Sequence, residues 1–434
     1  MSESFLQYLW QHRLFEGPLI TTDGQPVLVD RPGILNRDAG PDFFDARLTI
    51  GGIRWAGNVE VHVRASDWNA HHHSGDKNYD NVILHVVYVN DVAIDLPKGK
   101  KIATIEVVNN VPEQMWNNYD QLVNPPANIE IPCAPRLKEI PEFLFNVSQE
   151  SLTVERLQRK SNDVEKLLDS LRGDWEQTCY VMTARYFGGK INSFAFEILA
   201  KRTPMNVLSK MKDNAFRIES LLFGQSGLLE GDFNDDYPLS LQREYGYQAV
   251  AYHLQAMPGH LWKFFRVRPA GFPTLRISQF ANLIYKTNNL FSRLMDASDI
   301  DELRGLFDIS ASPYWCSHYN FDQPVVSGGQ SSKERGLGHS TIDTIIINAC
   351  VPLLFCYGAK HGDQRLKDRA LTLLQQLPSE RNRITRLWTS EGRVPKNAAE
   401  SQALIQRHNE YCVPRRCLDC QLGFRLVKNN SSEM

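Results

Sequence analysis

The sequence predicts an α+β protein, with a mixed β-sheet domain and flanking helices first and a mainly α-helical domain after it. Three observations carry that expectation. Short alternating or β-branched runs, separated by turn residues, occupy residues 26 to 108. From about residue 151 the apolar spacing changes to that of helices. The chain has 434 residues, 42% of them hydrophobic, which exceeds one ordinary domain. The boundary is expected after residue 130, giving an α/β domain over 1–130 and a helical domain over 131–434.

The elements follow in order. Residues 4–15 read as a short amphipathic helix with Phe5, Leu9, Trp10 and Phe15 on its apolar side. Pro26 to Val29 follows the turn Asp23-Gly24, and Ala46 to Ile50 precedes Gly51-Gly52. Ile53 to Val63 alternates in the manner of a strand, and Val82 to Val89 is an apolar run suited to a buried one. Lys101 to Val108 is a further strand. The polar stretch 66–81 between strands fits a loop or a short helix. Residues 109–150, rich in Pro and Asn, read as a connector. Beyond it, helical spacing recurs up to residue 411, interrupted by a long Ser-, Gly- and Pro-rich loop over 309–340.

Charged residues make up 23% and the formal net charge is −2, so no global basic field advertises nucleic acid. A local basic patch is compatible with these totals. There is no run of eighteen apolar residues, and the start MSESFLQYLWQHRLF lacks a basic region followed by an apolar one. A cytoplasmic chain with no membrane span and with reduced thiols is therefore expected. No nucleophile elbow, P-loop or dinucleotide-binding glycine pattern occurs.

The densest polar signal lies between Asn36 and Val87. Asp42 stands at the mouth of one strand. Glu60 and His62 are two apart on the next, so both point to one face. His71, His72, His73 and Asp76 follow in a polar connection, and His85 interrupts an apolar strand. Two acids on adjacent strands suit a divalent cation, with His62 placed to position or activate water. A zinc site of His62, His71, His73 and Asp76 is a second reading. A polar loop packed on a strand, with His85 a satisfied core histidine, is a third.

The order of helix, strand with Asp42, strand with Glu60-Val61-His62, connection and buried strand resembles the core of the PD-(D/E)xK nuclease superfamily. The resemblance spans roughly 60 residues and implies a restriction-endonuclease-like fold. Carried over by position, Asp42 and Glu60 become ligands of Mg²⁺ or Mn²⁺, and His62 takes the place of the superfamily's lysine. It thus implies a metal-dependent phosphodiesterase acting on DNA or RNA. The lysine-to-histidine departure leaves open an inactive module that binds nucleic acid or protein. The motifs NRDAGPDFFDA, GNVEVHVRASDW, YDNVILHVV and YCVPRRCLDCQLG resemble, over nearly the whole length, a bacterial family recorded only as a domain of unknown function.

Two further signals lie in the helical part. Arg266, Arg268 and Arg276 are interleaved with aromatics between Trp262 and Arg276, a pattern that can clamp phosphates and stack on bases. It equally fits a proline-broken helix end with the aromatics in the core. His339, at the entry to an apolar helix beside Ser340 and Thr341, is a candidate phosphate contact. Finally, Cys412, Cys417 and Cys420 form C-x4-C-x2-C, suited to zinc or an iron–sulfur cluster. His408, Cys316, Cys350, Cys356 and Cys133 are all candidates for a fourth ligand.

Overall fold

A computed structural model describes residues 1–94, 101–325 and 334–429. The chain forms two compact units, one of residues 1–148 with 407–434 and one of residues 149–406.

In the first unit, helix α1 (Glu3–Gln11) begins where the Ser2 side chain accepts the Phe5 N–H, and it buries Phe5, Leu6, Leu9 and Trp10. The sheet that follows has seven strands: β1 (Leu19–Ile20), β2 (Pro26–Arg31), β3 (Ile34–Leu35), β4 (Phe43–Ile50), β5 (Ile53–Arg64), β6 (Val82–Val89) and β7 (Ala103–Glu106). The order is β1-β2-β4-β5-β6-β7, with β3 paired to β4. The pairs β2–β4 and β4–β5 are antiparallel, while β5–β6 and β6–β7 are parallel. The expected mixed sheet is therefore present.

Local chemistry explains these choices. Gly51 and Gly52, both at positive φ (56° and 83°), close the β4–β5 hairpin in the left-handed conformation that glycine adopts freely. A parallel β5–β6 pair requires a crossover of a dozen or more residues. Residues 65–81 supply it as a short helix α2 (Asp67–Ala70) and two 3-10 turns, His73–Gly75 and Lys77–Tyr79. Val59 and Val61 on β5 bury against Phe43, Leu84, Val86, Leu6 and Trp10 to form the core of this unit.

Two expectations change. The connector contains a helix, α3 (Glu113–Val123), whose Met115, Tyr119 and Leu122 form a buried stripe at spacings of four and three. Asn residues hid it, because their low helix propensity was overridden by burial. The boundary also moves, falling within helix α4 (Glu142–Ser170). The C-terminal segment, assigned from sequence to the helical domain, packs in the first unit instead. Its last helix, Gln421–Lys428, buries Leu422, Leu426 and Val427, and Asn118 of α3 donates to the Val427 carbonyl at 3.2 Å.

The second unit is helical, with one apolar core running from Leu157 to Ala399. Its helix His339–His361 is 23 residues long and apolar enough to cross a membrane, against expectation, yet 83% of its apolar window is buried inside the protein. A π-helical turn at Ile346–Cys350 interrupts it. Of the expected loop 309–340, the described part holds a 3-10 turn and a small hairpin, His318–Asn320 with Gln323–Pro324. Residues 326–333 lie outside the described residues.

Candidate metal-binding site

Strand alternation builds the site. With Val59 and Val61 in the core, Glu60 and His62 face the other side of the sheet, where they are 5% and 1% exposed. The parallel register sets Glu60 beside His85. The crossover then lays His71 and His73 over this face. His72 between them takes the left-handed conformation (φ 60°), a sharp local turn, and its side chain is exposed. His71 and His73 both reach the ring of His62.

The distances are short. His62 Nε2 is 3.2 Å from His71 Nδ1 and 3.4 Å from Glu60 Oε1. His73 Nε2 is 3.3 Å from the same Glu60 oxygen. One nitrogen from each of His62, His71 and His73 lies within 4.8 Å of the other two. Tetrahedral ligands at bonds of about 2.0–2.1 Å stand roughly 3.3 Å apart, so these spacings fit a transition-metal ion. His62 Nδ1 is 2.8 Å from His85 Nε2, which fixes its ring as an outer partner does for a ligating histidine. The Nε2 atom of His73 is buried with no hydrogen-bond partner, as a nitrogen awaiting a ligand bond would be.

Burial governs the protonation states. It depresses His62 to about 3, with the neighbouring His73 and His71 adding to the effect. His85 falls to about 3 and His73 to about 4 for the same leading reason. Glu60 moves the other way, to about 9, through burial and then the nearby Asp42 charge. His62, His73 and His85 are thus neutral at neutral pH, which is the ligating form of an imidazole.

A layer of acids flanks this cluster. The Asp42 N–H donates to Glu60 Oε2 at 3.0 Å, and Asp42 Oδ2 accepts the Val61 N–H at 3.0 Å. Asp42 Oδ1 accepts from Gln7 of α1 at 2.9 Å. A β-bulge follows, with Asp45 at φ 54° and a register shift between Phe43 and Ala46, which turns Asp42 toward Glu60. Glu3 rises to about 7 through burial, then Asp42. Trp68 closes the floor. It is 1% exposed, donates to Ser74 Oγ at 3.0 Å and meets His73 and His85 edge-on. Tyr79 stacks on His73 with ring centres 3.8 Å apart.

The chain matches the model of a protein family of unknown function, DUF2851, over residues 3–383. It belongs to that family. No curated protein and no solved structure matches it. The DUF2851 match spans the whole acid–histidine cluster and stops before the C-terminal cysteines.

The remaining predicted residues of this DUF2851 protein fall elsewhere. Asp42 and Glu60 are neighbours, but Asp42 is held by Gln7 and Val61 and is not one of the clustered ligating groups. Asp76 caps the turn at Asn78 and is exposed. Arg266, Arg268 and Arg276 share a cleft of about 320 Å³ in the second unit with Lys190 and Ser340, and His339 is not among its lining residues. Arg276 is committed to Gln279 and Thr341 at 3.1 Å each, and burial lowers it to about 10. Cys412, Cys417 and Cys420 line a different pocket, in the first unit. Sequence reasoning missed Glu3, Gln7, Trp68 and Tyr79. The polar pair Glu3 and Gln7, four apart on one side of the helix, was the readable signal.

Proposed function

We propose that the first unit is a metal-dependent phosphodiesterase acting on DNA or RNA, built on a restriction-endonuclease-like sheet. The clustering of His62, His71 and His73, with His62 and His73 both against Glu60, carries this reading. An imidazole-rich set favours Zn²⁺ over the oxygen-preferring Mg²⁺ and Mn²⁺. His62, His71 and His73 hold the ion, with Glu60 beside them, and Asp42 positions Glu60 through its backbone N–H. Such an ion polarises the phosphate and lowers the pKa of a bound water.

In hydrolysis a water oxygen bonds to phosphorus, one phosphorus–oxygen ester bond breaks, and the departing oxygen takes a proton. Held ionised by a cation at the imidazoles, Glu60 would accept the proton of the attacking water and pass one to the departing oxygen, returning to its starting form. His62, neutral and fixed by His85, does not supply the permanent charge of the superfamily's lysine. The ion supplies that charge instead.

A groove in the same unit supports a polyanionic substrate. It measures about 870 Å³ and is lined by Gln7, which contacts Asp42, and by Arg37, Arg415, Arg416 and Arg425. Arg37 and Arg416 share Asp419 at 2.8 and 2.9 Å. Arg415 stands at φ 57°, with a buried Nη1 that has no hydrogen-bond partner. The half-buried ring of Phe424 lines the same groove.

Labelled single- and double-stranded DNA and RNA, incubated with Mn²⁺ or Zn²⁺, test the reading. Cleavage is expected from the native chain and is lost in His73→Ala and Glu60→Gln. Undiminished cleavage by Glu60→Gln, or tight ion binding with no cleavage of any of these substrates, would overturn it, the second leaving a binding module.

A further inference from the structure

The three C-terminal cysteines are joined by a fourth. Cys133, from the segment after α3, lines one pocket together with Cys412, Cys417 and Cys420. Cys316, Cys350 and Cys356, the other candidates for this role, lie in the second unit. Burial first, and then the neighbouring cysteines, raise Cys133, Cys412 and Cys417: Cys420 and Cys417 act on Cys133; Cys133, Cys420 and Cys417 on Cys412; and Cys420 on Cys417.

Spacing separates the two cofactors that four thiolates can hold. A zinc ion bonded at about 2.3 Å to four sulfurs brings them roughly 3.8 Å apart. Among the described residues, the group of three ligating atoms lying within 4.8 Å of one another is that of the imidazoles. No three of these sulfurs are that close. They line a small cavity of about 20 Å³, spread around it and not drawn to one point. A cluster of several irons, bridged by sulfide, holds its thiolates farther apart than a single ion does.

The surroundings suit an anionic cluster. Arg407, fully buried, lines the pocket and opposes the burial that raises Cys133 and Cys412. Its guanidinium lies over the Phe145 ring and is hydrogen-bonded to Ser148. Cys412 ends a π-helical turn, His408–Cys412, a device that re-aims side chains and is frequent at functional sites. Gly423 lets the last helix close on this pocket, since a Cβ there would stand 2.0 Å from the Cys417 carbonyl oxygen.

We propose that Cys133, Cys412, Cys417 and Cys420 hold an iron–sulfur cluster that clasps the C-terminal segment to the first unit. All of the second unit, residues 149–406, intervenes in sequence between Cys133 and the other three. A clip that closes so long a loop removes much of the freedom of the unfolded chain. The proposal is independent of the imidazole site, where bound iron would carry no sulfide.

The test is the iron, zinc and acid-labile sulfide content of the full chain, purified without oxygen and, if needed, reconstituted with ferrous iron and sulfide. Iron and sulfide in equal amounts, at two or four of each per chain, with a visible absorbance bleached by dithionite, are expected. Cys133→Ser should lose more than half of both, while Cys316→Ser in the second unit keeps them. Should Cys133→Ser fail to fold, Cys420→Ser, at a half-exposed position, gives the same reading. Stoichiometric zinc without sulfide at these cysteines would overturn the proposal, as would a reconstituted chain holding neither iron nor sulfide.

Discussion

The Nε2 atom of His73 stands 3.3 Å from Oε1 of Glu60 and has no hydrogen-bond partner. The pair is held in place by stacking of His73 on Tyr79 and by the backbone N–H of Asp42, which binds the other Glu60 oxygen. In the metal-free chain at pH 7 the proton sits on Glu60, raised to about 9, and not on His73, lowered to about 4. A cation between them reverses the preference of the carboxyl group.

Binding of Mn²⁺ near pH 7 should therefore release about one proton per ion. Mn²⁺ is the useful probe, because thiolates prefer softer metals and the cysteine pocket stays out of the measurement. Calorimetry in buffers of different ionisation enthalpy reads the proton directly. Glu60→Gln should abolish the release, and His71→Ala should weaken binding while leaving it. Binding with no proton exchange would place the ion away from Glu60.

The stability of the metal-free chain should vary with pH in two opposed limbs. Glu60 titrates at about 9 folded against 4.5 as a free side chain, so the folded state holds the extra proton between those values. Stability is lost as pH rises through that window, at a limit of about 1.4 kcal/mol per pH unit for one group. His62 and His85, at about 3 against 6.5, give the reverse: the unfolded chain holds the protons, and stability is lost as pH falls below 6.5. Denaturation midpoints in chelator between pH 5 and 9 should peak near 6.5. Glu60→Gln should flatten the alkaline limb and steepen the acid one, and Mn²⁺, which holds Glu60 ionised and the imidazoles unprotonated, should act in the same direction.

How far the sequence showed this site follows from what each element encodes. The period of two in Ile53 to Val63 places Glu60 and His62 on one face, and the β-branched run Val82 to Val89 marks a buried strand. The parallel register that sets His85 beside Glu60 is a long-range fact with no local signature. The left-handed turn at His72 is likewise invisible, since three histidines in a row share the same tendency toward that region and nothing local marks which one takes it. Cys133 lies 279 positions before Cys412, the difference of their numbers, and only the folded chain brings it to the other three. The C-terminal segment was misassigned for the same reason: an amphipathic helix shows that it needs a partner, not which one.

Trp68 should prove the most costly single residue of the crossover. It is 1% exposed, bonded to Ser74, and in edge contact with His62, His73 and His85. Trp68→Ala leaves a cavity beneath three imidazoles and should cost about 3–5 kcal/mol. Trp68→Phe keeps most of the volume but not the Ser74 hydrogen bond, and should recover the larger part. Chemical denaturation of the three proteins, followed by Mn²⁺ titration of each, checks both the stability order and the matching order of ion affinity.

Asp42 should act on the ion through Glu60. Its carboxylate is taken up by Gln7 and Val61, while its charge raises Glu60. Asp42→Asn keeps the shape and removes the charge, so it should weaken Mn²⁺ binding by roughly 10–100-fold, the usual effect of losing an outer-shell partner. It should also lower the Glu60 pKa, moving the proton-release profile to lower pH. A direct ligand would lose far more affinity, and a purely structural residue would leave the proton profile where it is.

Salt dependence decides whether the arginine groove receives the substrate. Each phosphate neutralised by the protein contributes roughly 0.7–0.9 to the slope of log affinity against log salt concentration. Arg425 lines the groove beyond the Arg37–Asp419–Arg416 group, so its positive charge is not offset by that acid. In a Glu60→Gln background, which prevents cleavage, Arg425→Ala should reduce the slope by about one unit and weaken binding equally across sequences. Arg276→Ala, in the second unit, removes a guanidinium already committed to Gln279 and Thr341, and should leave the slope unchanged. If the two variants behave in the opposite way, the strand is held by the second unit, and the groove beside Gln7 serves some other ligand.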